Sequence, residues 1–227
     1  MNNSLRIKAR KSNIELLRII AMLMIVGHHY AYHGVAHYGN VDSAFALWNQ
    51  GNFAHRFFTS ALAVGGEVGA AIFFLITGYF QINKKKASIL KVSLETIFYG
   101  CTLTLLLWIL VLAGISFPYT TSRNLIGFGL RAILVPITSG TWWFITAYAV
   151  LILAVPIINS IVNNLNRTGY LALLSFTWLF LYTIDSFGGE YWHLERAVFF
   201  YLLGGFIRLY GKAIKLQYIY SIYIYIS

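Results

Sequence analysis

Runs of apolar residues long enough to cross a bilayer constrain the fold of this chain more than any other feature. A span needs about 20 mostly apolar residues, and in lipid only a helix or a closed barrel satisfies every backbone polar group. Six runs meet or approach that length: Ile14–Tyr32, Ala61–Ile82, Thr96–Phe117, Trp142–Val162, Tyr170–Ser186 and Ala197–Tyr210, the last two being short. Only 11% of the residues are charged, against about 25% in a soluble domain, which removes the soluble classes from consideration. The expected fold is all-α, a polytopic transmembrane helix bundle of six spans plus a partial seventh, forming one domain over residues 1–227. A weaker stretch, Leu125–Ile137, holds Arg131 and Pro136 and reads as interfacial or re-entrant.

The basic residues orient this layout. With the N-terminus cytoplasmic, the inner segments hold Arg6, Lys8, Arg10, Lys11, Lys84, Lys85, Lys86, Lys91, Arg167, Arg208, Lys212 and Lys215. The outer ones hold only Arg56, Arg123, Arg131 and Arg196, so every lysine falls inside, a positive-inside pattern. The formal charge of +10 is thus a mark of topology, and no nucleic-acid partner is expected. Membrane lipids are the expected surroundings. The basic N-terminus, residues 1–13, leads into the first run without a small-residue cleavage pattern, so that run is expected to remain as a helix. The single cysteine, Cys101, excludes an intrachain disulfide. Residues 216–227 alternate Tyr and Ile with a strand-like period of two. An open strand cannot face lipid, so this tail reads as a seventh helix cut short or a non-native end, and the chain as truncated at its C-terminus.

Chemistry first suggests itself in the opening run. Arg18 and His29 are eleven residues apart, which returns to nearly the same helix face about 16 Å further along the axis. Ionisable groups inside a span are costly and raise a functional hypothesis. Arg18 could hold an anion bidentately or snorkel to the interface and pair with Glu15 one turn earlier. His28 points roughly 80° from the Arg18–His29 stripe and reads better as part of an interfacial aromatic belt. Glu67 could orient a histidine or simply sit at headgroup level. Gly65, Gly66, Gly69 and Gly78 permit close approach of another helix. Trp142 and Trp143 anchor a span at the interface or offer faces for stacking on a sugar. The polar cluster of Asp185, Glu190, His193, Glu195 and Arg196 reads as a solvated loop. Its spacing matches no metal site, and no metal is expected.

Four segments, in order, resemble the membrane acyltransferase-3 family. They are Glu-Leu-Leu-Arg18 with His29 after ten intervening residues; Gly69-Ala-Ala-Ile-Phe-Phe-Leu-Ile-Thr-Gly78; Thr141-Trp-Trp-Phe-Ile-Thr-Ala-Tyr148 followed by Pro156-Ile-Ile-Asn159; and Phe200-Tyr-Leu-Leu-Gly-Gly-Phe206. Members of that family carry more spans, so the resemblance covers their N-terminal two-thirds. Lysines replace an arginine pair that many members carry after the second span.

The resemblance implies an acyltransferase of a cell membrane, bacterial in type. It would move an acyl group, in the first instance acetyl, from coenzyme A to a hydroxyl of a cell-surface or exported sugar. Arg18 and His29 are the residues it singles out. Such a transfer needs a base for the hydroxyl proton, stabilisation of the oxyanion and a hold on the anionic coenzyme. His29 suits general base or acyl carrier. Arg18 suits a coenzyme phosphate or the thioester carbonyl, Lys84, Lys85 and Lys86 the coenzyme, and Trp142, Trp143 and Glu67 the acceptor. A polysaccharide exporter, or an inactive fragment of the enzyme, are the alternatives.

Overall fold

The computed structural model describes residues 12–31, 51–85, 88–115, 127, 143–186 and 193–226. Among the described residues the elements are all helices: α1 (Ser12–His29), α2 (Phe53–Gln81), α3 (Leu90–Leu112), α4 (Trp143–Asn163), α5 (Arg167–Ser186) and α6 (Leu194–Ile226). The apolar stretch Leu125–Ile137, apart from Gly127, lies outside the described residues, as do Lys86 and Trp142.

Local chemistry sets several of the helix ends. Asn52 caps α2, its side-chain oxygen accepting the His55 N–H at 2.8 Å, and Asn166 caps α5 through the Gly169 N–H at 2.8 Å. At the end of α3, Gly114 takes φ +84°, a conformation that favours glycine, and its N–H donates to the Val111 carbonyl at 3.0 Å.

The expectation of six spans plus a partial seventh is not met. Among the described residues only α2, α3 and α4 are long and apolar enough to cross a membrane. The shortfall elsewhere has plain causes. The 18 residues of α1 include Ser12, Asn13, Glu15, Arg18, His28 and His29. Polar and charged residues also dilute α5 (Arg167, Ser175, Thr177, Thr183, Asp185) and α6 (Glu195, Arg196, Arg208, Lys212, Lys215). The Tyr/Ile tail is neither a strand nor a separate seventh helix, because α6 runs unbroken for 33 residues through Ile226. Helix pairs those backbone groups within the segment, whereas a lone strand leaves them open.

The chain packs as two compact units, Met1–Thr77 and Gly78–Ser227. In the first, α1 lies on α2 through glycine. A Cβ on Gly69 would stand 2.6 Å from the Ala21 carbonyl oxygen and 2.8 Å from Ile25 Cγ1, and one on Gly65 would touch Met24 at 3.6 Å. Ala21 is fully buried at this contact. Small residues let the two backbones approach closely, as expected for helices that meet in lipid.

In the second unit, α4 contributes Leu151, Ile152, Val155, Asn159 and Val162 from one face to the core. Facing residues are Tyr170 and Leu174 of α5 and Ala197, Tyr201, Leu202 and Phe206 of α6, all buried. Tyr170, Phe206 and Tyr210 meet edge-on or tilted, with centroids 5.0–6.1 Å apart. By contrast α3 leaves Leu94, Phe98, Leu105, Trp108, Ile109 and Leu112 exposed, a surface suited to lipid rather than to water.

Candidate functional site

The titratable residues singled out in the first run sit on α1. Arg18 is partly exposed and its Nη1 bonds Glu15 Oε1 at 2.7 Å, one turn earlier. That contact keeps the guanidinium on the α1 surface and neutralises part of its charge locally. His29 is exposed, with Nδ1 2.8 Å from the Ile25 carbonyl oxygen. A carbonyl can only accept, so the neutral ring carries its proton on Nδ1 and its basic lone pair on Nε2. That is the tautomer a general base needs, with the ring fixed to its own helix.

His28, expected in an interfacial belt, is tied to a second helix. Its Nδ1 bonds the Ala63 carbonyl of α2, and its side chain lies against Gly66, where a Cβ would collide with it. The same tautomer follows, and the two imidazoles meet edge to face with centroids 5.4 Å apart. His28 thus joins α1 to α2, and only a glycine at position 66 admits it. Glu67 is exposed on α2 in this same unit.

Lys84, Lys85 and Trp143 belong to the second unit. Both lysines are exposed on the turn after α2. Trp143 is half-buried at the start of α4, its ring 4.5 Å from that of His193. His193 takes φ +54°, an uncommon conformation for a side-chain-bearing residue, and directly precedes α6. Next along, the Glu195 side chain is only 8% exposed, 4.0 Å from Arg196, and no donor among the described residues meets its Oε2. The polar cluster expected to be a solvated loop therefore includes a buried carboxylate. Among the described residues no group of three His, Cys, Asp or Glu side chains could hold a metal.

Sequence reasoning missed one arrangement altogether, a neutral polar node inside the second unit. Asn159 of α4, 3% exposed, donates from Nδ2 to the Gln81 carbonyl at 2.8 Å and to the Lys84 carbonyl at 2.9 Å. Its Oδ1 accepts the Tyr201 hydroxyl at 2.7 Å. Tyr170 donates to the Leu202 carbonyl at 2.8 Å. Gly78 lies against the Tyr201 backbone with no room for a side chain, and a Cβ on Gly205 would stand 2.6 Å from the Tyr170 hydroxyl. Gly78, Asn159, Tyr201 and Gly205 each lie in a segment that carries the family resemblance, but only the fold brings those segments to one buried point.

No curated protein matches this chain. No solved structure matches it either. Residues 11–227 match the acyltransferase-3 family, described as an acyltransferase domain, and with nearly the whole chain covered the protein belongs to that family.

Proposed function

We propose that the protein transfers an acyl group, acetyl in the first instance, from coenzyme A to a hydroxyl of a cell-surface or exported sugar, within the cell membrane. The observation that carries this reading is that the chain belongs to the acyltransferase-3 family and presents, on α1, His29 with its Nδ1 engaged by the Ile25 carbonyl. His29 Nε2 takes the acceptor proton as the hydroxyl oxygen attacks the thioester carbonyl. The tetrahedral intermediate collapses, the carbon–sulfur bond breaks, and the proton passes to the leaving thiolate. If the acyl group rests first on His29, the same nitrogen is the nucleophile.

Arg18 holds a coenzyme phosphate or the developing oxyanion once it leaves Glu15, an exchange that an exposed pair makes at little cost. Lys84, Lys85 and Lys86 supply positive charge to the coenzyme. For the acceptor the assigned residues are Trp142, Trp143 and Glu67, and the Trp143 ring, already against His193, offers an aromatic surface to a sugar.

The test is the O-acyl ester content of surface polysaccharide, read by NMR in a strain lacking the gene and re-supplied with it. Wild type should restore the esters and His29→Ala should not, at matched membrane levels. Restoration by both would remove His29 from the mechanism.

A further inference from the structure

The buried node of Asn159 and Tyr201 reaches beyond the helices to the backbone of a turn. The segment it grips is the turn that carries the lysines. The Lys84 N–H closes the turn on the Gln81 carbonyl at 2.8 Å, and Asn159 then bonds the carbonyls at both ends of it. Ile82, between them, is fully buried against Gly205. The backbone from Gln81 to Lys84 is thus held on two sides while Lys84 and Lys85 project exposed. The two residues that complete the clamp, Asn159 and Tyr201, are neutral, so they fix the turn without competing for the ammonium groups.

A third cation is anchored on the last turn of α2. Arg208 of α6 rests over the Tyr79 ring, with its guanidinium carbon 5.2 Å from the centroid, and Nη1 donates to the Tyr79 hydroxyl at 3.3 Å. Tyr79 is two residues before Gln81, on the last turn of α2. A guanidinium laid on an aromatic face is oriented before any ligand arrives, and its planar fork suits phosphate oxygens. Two flexible point charges on a fixed backbone and one oriented fork, at the same helix end, form a set of groups for a phosphate-bearing anion. Little conformational freedom of the backbone remains to be lost on binding.

We propose that the Gln81–Lys85 turn and Arg208 form one phosphate-binding site, held in shape by Asn159 and Tyr201. This deepens the donor reading above and rests on it for the choice of coenzyme A as the first ligand. An anionic lipid headgroup carries the same phosphate chemistry and is the other source.

The experiment uses the full chain in phosphatidylcholine nanodiscs, titrated with coenzyme A by calorimetry, and a parallel set containing phosphatidylglycerol, whose retention is read by mass spectrometry. Arg208→Ala and the double variant Lys84→Ala/Lys85→Ala should each weaken coenzyme A binding ~10-fold or more, the scale of a lost charge-assisted hydrogen bond. Arg208→Lys should recover only part, because it lacks the fork. Tyr201→Phe keeps the ring but frees Asn159 Oδ1. It should raise amide exchange in the turn and weaken binding ~3-fold, a loss of about half a neutral hydrogen bond.

If the lysine variant weakens binding while Arg208→Ala and Tyr201→Phe bind as wild type, the shared site is overturned and the donor reading stands. If coenzyme A does not bind but phosphatidylglycerol is retained in an Arg208-dependent way, the site stands with a headgroup as its ligand, and the donor reading of the lysines falls. If neither ligand depends on Arg208 or the lysines, both readings fall.

Discussion

The two units solve the problem of polar groups in an apolar chain in opposite ways. In the first, Arg18 and His29 stay partly or fully exposed and take partners from their own helix, Glu15 and the Ile25 carbonyl. In the second, Asn159, Tyr170 and Tyr201 are buried and take partners from other segments, 32 to 78 residues away in sequence. Groups with local partners can be exchanged for a ligand without disturbing the fold. Groups that are the contact between segments cannot. The contrast separates residues with a partner on their own helix from residues that hold segments together, on grounds of connectivity rather than residue type.

The sharpest break would come from the first unit. His29→Ala should lower acyl transfer by ~10²–10⁴-fold, the usual worth of a positioned acid–base group, while leaving the melting temperature within a degree or so of wild type. Asn159→Leu should do the reverse in kind. It strips the donors from two carbonyls and the acceptor from a buried phenol, at a cost of about 2–4 kcal/mol visible in thermal melts. A melting temperature unchanged by that substitution would remove the distinction between the units. Gly66→Ala tests the exception, His28, whose imidazole is tied across to α2. The added methyl must displace the ring, and about 1–3 kcal/mol of stability should go with it. The smallest effect belongs to Glu15→Gln: the half-exposed pair contributes under about 1 kcal/mol, so stability should hold while salt sensitivity of any Arg18-dependent binding changes.

How much of this the sequence displayed follows the same division. Helices fall where apolar runs fall, and the close approach of α1 to α2 was readable from Gly65, Gly66 and Gly69 because small residues have one common use in such helices. Span number was overstated, because a run that tolerates Glu15 and Arg18, or Glu195 and Arg208, is helical without being apolar enough to count as crossing. The tail after Lys215 reads as a seventh helix cut short or a non-native end, whereas it continues α6, because its period of two describes side chains and gives no sign that the preceding helix runs on. The Asn159 node could not be derived. An asparagine in an apolar run announces a partner but not its address, and a tyrosine in a membrane chain reads first as an interfacial anchor. The angle that sets His28 apart from the Arg18 stripe is the one that faces α2, a partner the sequence does not name.

The hydroxyls of α3 carry a consequence for how the chain is made. Ser93, Thr96, Thr102 and Thr104 each donate to the carbonyl four residues earlier, so this helix meets its hydrogen-bonding needs from within. It can leave the ribosome and enter hydrocarbon alone. Helix α4 cannot do so on equal terms, because the Asn159 amide needs the Tyr201 hydroxyl, which is 42 residues further along. At synthesis rates of about 5–20 residues per second, that separation is a delay of about 2–8 s. During it, the carbonyls of Gln81 and Lys84, already made, are the partners within reach. The turn that carries the lysines would then be gripped before α6 exists, and Tyr201 would arrive to lock an assembly already begun.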